Sequence, residues 1–137
     1  MTSGTRGFTL IELLIVIGIV GILTMIAYPT YVHWILKANR SDAISTLAVD
    51  QTILERCYAQ TFAYNGACAS LPAFPQATEQ GYYTITLSNL TATTYTLTAT
   101  TTGTQTRDTS CQTFSVDEAN QKTATDDSAT AQTTCWD

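Results

Sequence analysis

A single carboxylate, Glu12, lies within a long apolar run near the start of this 137-residue sequence. From Phe8 to Ala27 the apolar residues are interrupted only by Thr9, Glu12, Gly18, Gly21 and Thr24. A carboxylate at the centre of a membrane helix costs about 2.5–3.5 kcal/mol. The cost is lower near a helix N-terminus, where water is close and the helix dipole is positive. Glu12 is therefore either a tolerated interfacial charge or one half of an ion pair.

Four cysteines follow the apolar run, and their even number predicts two disulfides formed in an oxidising compartment. They are Cys57, Cys68, Cys111 and Cys135. Three pairings are possible. Pairing chain neighbours closes loops of about 12 and 25 residues, worth about 2.8 and 3.5 kcal/mol in the chain-entropy model. This estimate favours Cys57–Cys68 and Cys111–Cys135.

No other constellation predicts catalysis, a metal site or a cofactor. The only histidine, His33, has no evident nucleophile near it in the pattern, and CxxC spacing is absent, which argues against zinc. The acidic residues near the C-terminus lack the spacing of a calcium loop and indicate a solvated loop. They are Asp117, Glu118, Asp126 and Asp127. We expect neither an enzyme nor a metalloprotein.

The elements that position these residues begin with one long helix. Twenty helical residues rise about 30 Å, the thickness of a bilayer core. We therefore expect residues 8–29 to form a membrane-spanning half of the helix. Arg6 precedes it and favours a cytoplasmic N-terminus. Residues 30–59 predict an amphipathic half with an apolar face and a solvated or subunit-facing side. The apolar face comprises Ile44, Leu47, Ala48, Gln51, Leu54 and Tyr58, and the other side comprises Asp42, Ser45, Thr52, Glu55 and Arg56.

Residues 60–137 predict a globular head. An irregular loop follows Cys68, and apolar residues then alternate with threonine and serine in short strand-like segments. About four antiparallel strands with one apolar face need a cover, and the helix supplies it. The predicted fold class is α+β, with a long N-terminal helix packed on a small antiparallel sheet.

The N-terminal sequence RGFTLIELLIVIGIVGILTMIAYPTY resembles the signature of type IV pilins. The resemblance implies that residues 1–7 are a leader, that a prepilin peptidase cuts between Gly7 and Phe8, and that the new amine of Phe8 is methylated. It also implies that Glu12 directs assembly by pairing with the Phe8 amine of a neighbouring subunit. Gly18, Gly21 and Pro29 would then weaken the helix, either for close packing or to let the fibre stretch. The C-terminal loop would be bounded by the second disulfide.

The segment from Ala38 to Cys68 is similar to the PilE-type minor pilins. The matching residues are Arg40, Asp42, Ala43, Leu47, Glu55, Arg56, Tyr58 and Tyr64. The resemblance implies a non-enzymatic minor subunit that resides in the inner membrane and then in an extracellular pilus, serving adhesion, twitching motility or DNA uptake. Its partners would be other pilins, contacted through the N-terminal helix, together with the peptidase and the inner-membrane assembly platform.

Two alternatives stay open: a major pilin, or a ComP-like DNA-binding pilin of natural transformation. The net charge is −5, and from Cys57 onward only Arg107 and Lys122 oppose seven acidic residues. A surface with this charge gives no general attraction for the phosphate backbone. DNA binding is therefore possible but disfavoured by the acidic head.

Overall fold

The computed structural model of the chain describes residues 7–137, so Arg6 and the rest of the predicted leader before Gly7 lie outside the described residues. One helix, α1, spans Leu10–Thr61. Five strands follow: β1 (Gln76–Ala77), β2 (Tyr83–Ser88), β3 (Thr96–Thr101), β4 (Thr113–Asp117) and β5 (Lys122–Thr125), with a 3₁₀ helix at Gly103–Arg107 before β4. The chain divides into two compact units, Met1–Ile35 and Leu36–Asp137.

The first unit, within its described part, is the N-terminal portion of α1. Its hydropathy and length suffice to cross a membrane, and its most apolar window has no buried residue. The large apolar side chains between Phe8 and Trp34 are mostly more than half exposed, as at Leu10 (78%) and Met25 (80%). A surface of this kind requires a lipid bilayer or other subunits to cover it.

The second unit, called the head below, contains a five-stranded antiparallel sheet in the order β1-β2-β3-β4-β5. Each strand pairs with the next along the chain, for example Ile85 with Ala99 and Ala99 with Phe114. Threonine and serine occupy the alternate positions, so apolar residues fall on the other face. The predicted α+β class is confirmed. The structure adds a fifth strand, β1, whose two residues carry no alternation that sequence could reveal.

The core lies between that apolar face and the part of α1 that belongs to the head. Its buried members include Leu47 and Leu54 of the helix and Tyr83, Leu97 and Phe114 of the sheet. The prediction for the helix face is partly wrong. The buried helix positions are Asp42, Ala43, Leu47, Asp50, Leu54 and Cys57.

Two predicted assignments on that face are corrected. The pattern predicts Ala48 on the buried face, but Ala48 is exposed; it predicts Asp42 on the solvated side, but Asp42 is only 7% exposed. The buried stripe follows spacings of four and three residues and includes aspartates. A prediction that counts only apolar residues omits the two buried aspartates. It therefore places the buried stripe about one position away from the observed one.

Disulfide bonds join Cys57 to Cys68 and Cys111 to Cys135. The first bond ties the last turns of α1 to the following loop. The helix ends where Phe62 adopts a positive φ of 56° and donates its N–H to the carbonyl of Tyr58. A left-handed residue at this position satisfies one of the unpaired carbonyls at a helix C-terminus.

Candidate functional site

Thr9 and Glu12 together form the start of α1. The Thr9 hydroxyl accepts a hydrogen bond from the backbone N–H of Glu12 at 3.3 Å, and the Thr9 carbonyl accepts one from Leu13. Threonine at the N-cap with glutamate three residues later is the sequence pattern of a capping box, of which the bond from the Glu12 N–H to the Thr9 hydroxyl is formed. The T-x-x-E spacing of residues 9–12 carries the signal for this helix start in the sequence. It places the carboxylate in the first turn, at the positive end of the helix dipole.

The predicted helix-weakening residues lie within a continuous helix. Pro29 is inside α1, and a Cβ built on Gly18 or Gly21 would meet no neighbour within 4 Å. The nearby hydroxyls of Thr24 and Thr30 donate to carbonyls one turn earlier, those of Val20 and Ile26. Without side chains, these two glycines leave the helix backbone uncovered at their positions.

A buried ion pair joins α1 to the segment that follows the 3₁₀ helix. Arg40 binds Asp108 through two parallel bonds, Nε to Oδ2 at 2.7 Å and Nη2 to Oδ1 at 2.8 Å. The side chains are 11% and 2% exposed. The buried side chain of Gln105 donates to the carbonyl of Leu36 and to the hydroxyl of Tyr83. Arg40 belongs to the residues that resemble minor pilins, but Asp108 and Gln105 cannot be predicted as its neighbours, because no local pattern links residues 68 positions apart.

The buried Asp42 accepts hydrogen bonds from the loop that contains Thr78 and Gln80. Its Oδ2 accepts from the Thr78 hydroxyl at 2.5 Å and its Oδ1 from the backbone N–H of Gln80 at 3.3 Å. The same hydroxyl of Thr78 also bonds Tyr83, so one carboxylate connects α1 to the first full strand. Hydrogen bonds to both oxygens compensate for burying the charge.

Tyrosines and Glu55 form a second polar connection at the other end of the head. The hydroxyls of Tyr64 and Tyr95 both donate to Glu55 Oε1, at 2.9 and 3.3 Å. The ring centroids of Tyr58 and Tyr64 are 4.7 Å apart, and those of Tyr64 and Tyr95 are 4.8 Å apart. Burial, reinforced by Glu55, raises the pKa of Tyr64 to about 12 and also raises that of Tyr95.

Two of the C-terminal acidic residues, Asp117 and Asp126, stabilise backbone turns. Asp117 accepts from the backbone N–H groups of Ala119 and Gln121, and Asp126 from those of Ser128 and Thr130. The backbone bond from Thr130 is the largest of the effects that lower the pKa of Asp126. Among residues 7–137 no group of three or more metal-ligating side chains is found.

An exposed apolar helix with a glutamate in its first turn, followed by a disulfide-bonded head in which the helix covers an antiparallel sheet, defines the class of type IV pilins. The family model for the prokaryotic N-terminal methylation motif matches residues 2–28. The model described as "Type IV minor pilin ComP, DNA uptake sequence receptor" matches residues 29–115, well over half of the chain. The chain belongs to this family of type IV minor pilins and is a structural, non-enzymatic protein.

Relatives are similar over less than half of the chain. "Prepilin peptidase-dependent protein D" of Escherichia coli is 46% identical over 52 residues, which is 38% of this chain and 36% of that protein. "Type IV major pilin protein PilE1" of Neisseria gonorrhoeae is 52% identical over 44 residues, 32% and 27% of the two chains. The chain thus spans about a third of the length of these relatives.

A solved structure extends the similarity to the head. The non-core minor pilin PilV of Neisseria meningitidis superposes with a TM-score of 0.55 at 19% identity, over 72% of this chain and 92% of that chain. At this identity the similarity concerns the fold alone.

Proposed function

We propose that this chain is a minor subunit of a type IV pilus, anchored in the inner membrane with its N-terminus in the cytoplasm and then transferred into the extracellular fibre. The observation that carries the proposal is the uncovered apolar surface of residues 8–34, interrupted by a single carboxylate. A bilayer covers this surface before assembly and the helices of other pilins cover it afterwards. The partners are therefore other pilin subunits and the inner-membrane assembly platform.

Processing precedes assembly in this proposal. A prepilin peptidase removes residues 1–7 by cutting between Gly7 and Phe8, and the new amine of Phe8 is methylated. The match to the methylation motif over residues 2–28 supports this step. The mature chain then consists of the hydrophobic half 8–29, the amphipathic half 30–59 and the head 60–137.

The new amine supplies the cation that Glu12 requires. Glu12 lies four residues after Phe8, which is about 6 Å along the axis of a regular helix. A neighbouring subunit displaced along the fibre by about this distance would bring its Phe8 amine to Glu12. An unpaired charge in an apolar fibre core is strongly unfavourable, so the pair selects one stagger between neighbouring helices. Gly18 and Gly21 permit close helix contact, and with Pro29 they make this part of the helix the least stable.

Replacement of Glu12 tests this proposal. Glu12→Val should leave membrane insertion and cleavage intact and reduce the amount of the chain in sheared pili by at least tenfold. Glu12→Asp, which keeps the charge on a shorter side chain, should retain more incorporation than Glu12→Val. Normal incorporation of Glu12→Val would refute the ion-pair account. Quantitative mass spectrometry of the same pili tests the minor assignment, because a dominant copy number would identify a major subunit.

DNA binding by the head is a second candidate function, and the description of the matching family is the observation that favours it. The head carries five Lys and Arg against ten Asp and Glu. Its exposed cations are Lys37, Arg56, Arg107 and Lys122. Each phosphate contact contributes about 0.9 to the salt dependence on duplex DNA, so four cations allow a slope of at most about 3.6. Recognition by this head would therefore depend on base contacts and DNA shape more than on charge.

The DNA candidate is tested with the full chain in detergent. Genomic fragments from the source cell and random duplexes of equal length are compared over a range of salt concentrations. A preference for particular genomic fragments with a shallow salt slope supports a DNA receptor. Equal binding of both pools with a steep slope, or no binding at low salt, excludes sequence-specific reception.

A further inference from the structure

A groove runs along one side of the head between α1 and the loop that contains β1. Its volume is about 440 Å³. The lining residues are Ser45, Thr46, Val49, Asp50, Ile53, Ser70, Pro72, Gln76, Ala77 and Glu79. Two of them are acidic and none is basic. The apolar part of the wall includes Val49, which is 58% exposed although the next residue, Asp50, is buried.

Asp50 lies in this groove and is only 2% exposed. Its Oδ2 accepts a hydrogen bond from Gln76 Nε2 at 2.6 Å. Within residues 7–137 this is its one hydrogen bond to a side chain, and Oδ1 has none. No fully buried side-chain oxygen or nitrogen in the described chain lacks a partner, so Oδ1 must reach solvent. The solvent that Asp50 can reach is the groove.

This arrangement differs from that of the other buried aspartates of the head. Asp42 has donors on both oxygens, and Asp108 has the guanidinium of Arg40. Asp50 has one neutral donor and an open side. A buried carboxylate with no cation is unfavourable, and the cost is recovered when a cation enters. The groove therefore has the chemistry to receive an ammonium or guanidinium group carried on an aliphatic stem, which Val49 and Pro72 would contact.

We propose that this groove receives a lysine or arginine side chain of an adjacent pilin subunit of different sequence, with Asp50 as the pairing carboxylate. The inference rests on the proposed function, because it takes the neighbour to be a subunit of the same fibre. A second copy of this chain fits less well. Its head is acidic, with five Lys and Arg against ten Asp and Glu, so two copies of the head repel each other on average.

Site-specific crosslinking identifies the occupant. A photoreactive benzoylphenylalanine in place of the exposed Val49 is activated in intact pili, and the joined peptide is sequenced. We expect a peptide of another pilin with a lysine or arginine within two residues of the crosslink. Asp50→Asn should lower the yield of that crosslink by at least about tenfold. A peptide of this chain itself, or one without a basic residue, would overturn the proposal.

Incorporation into pili gives an independent measurement. Asp50→Asn keeps the bond to Gln76 and removes the charge, and Val49→Arg places a competing cation at an exposed position of the groove. Both should reduce incorporation several-fold, whereas Asp127→Asn, an equal change at an exposed site, should not. Val49→Arg keeps the test valid even if Asp50→Asn alters folding.

The two proposals fail in different ways. Absence of the unsubstituted chain from pili would refute the proposed function. If the unsubstituted chain is incorporated and Glu12→Val is not, but Asp50→Asn and Val49→Arg incorporate normally, only the groove proposal is refuted.

Discussion

Replacing Asp108 with alanine should destabilise the head by about 3–5 kcal/mol, because it leaves the Arg40 guanidinium nearly buried without its counter-charge. Two parallel bonds of 2.7 and 2.8 Å are lost, and the Arg40 side chain is only 11% exposed. Since this exposure lets water reach part of the guanidinium, we expect a value near the lower limit. For a unit of about 100 residues, 3 kcal/mol corresponds to a decrease in Tm of roughly 12–24 °C.

Urea denaturation of the full chain in detergent measures this loss. Near-ultraviolet circular dichroism reports on the packed tyrosines of the head, whereas far-ultraviolet ellipticity would be dominated by the 52-residue helix. Arg107→Ala is the matched control, because Arg107 is exposed and lies one residue before Asp108. Its effect should stay within about 0.5 kcal/mol.

The double variant Arg40→Met/Asp108→Leu separates pairing from burial. Apolar residues of similar size remove both charges, so the double variant should lose less stability than Asp108→Ala alone. A loss of unfolding free energy below about 1 kcal/mol in Asp108→Ala, or equal losses in the single and double variants, would show that Asp108 does not compensate the buried charge of Arg40.

Three further predictions concern pH and disulfides. Burial raises the pKa of Asp50, so its ionised form opposes folding; the stability of Asp50→Asn relative to the unsubstituted head should increase as pH rises from about 4, as urea denaturation at several pH values would show. Burial raises the pKa of Tyr83 to about 12, so the neutral form stabilises the fold up to about pH 10 and this stability is lost between 10 and 12; Tyr83→Phe should remove one late step from an absorbance titration near 295 nm. Cys111→Ala/Cys135→Ala should cost about 3.5 kcal/mol of unfolding free energy, and an unchanged urea midpoint would contradict the loop-closure estimate.

The strands could be predicted because the sheet faces differ in chemistry along the chain. Thr84, Thr86 and Thr98 lie on the outer face, while Ile85 and Leu97 are fully buried on the other. Alternation with a period of two expresses this difference locally. The long helix could also be predicted from the sequence, since its apolar half is continuous and its length exceeds that of any ordinary strand.

The polar interior could not be predicted, because its partners are far apart in sequence. Asp42 is buried with donors on both oxygens, from Thr78 and Gln80, and Asp50 is buried with Gln76 bonded to one oxygen; these donors lie 26 to 38 residues later in the sequence. Periodicity within the helix contains no information about those donors. The sequence Ala43-x₃-Leu47-x₂-Asp50-x₃-Leu54 has the correct spacing for a buried stripe, but an aspartate within it argues against burial unless its partner is known.

The carboxylates of this chain can be sorted by where their partners are. Asp108 and Asp42 are compensated inside the head, so their replacement should destabilise the isolated chain. Glu12 and Asp50 lack a cationic partner among residues 7–137, so replacing Glu12 should leave the head as stable, and replacing Asp50 should make it more stable at neutral pH. If both act in assembly, the same changes should impair entry into pili. A stabilised chain that no longer enters the fibre is an outcome that general damage to the fold cannot produce, since such damage lowers stability and incorporation together.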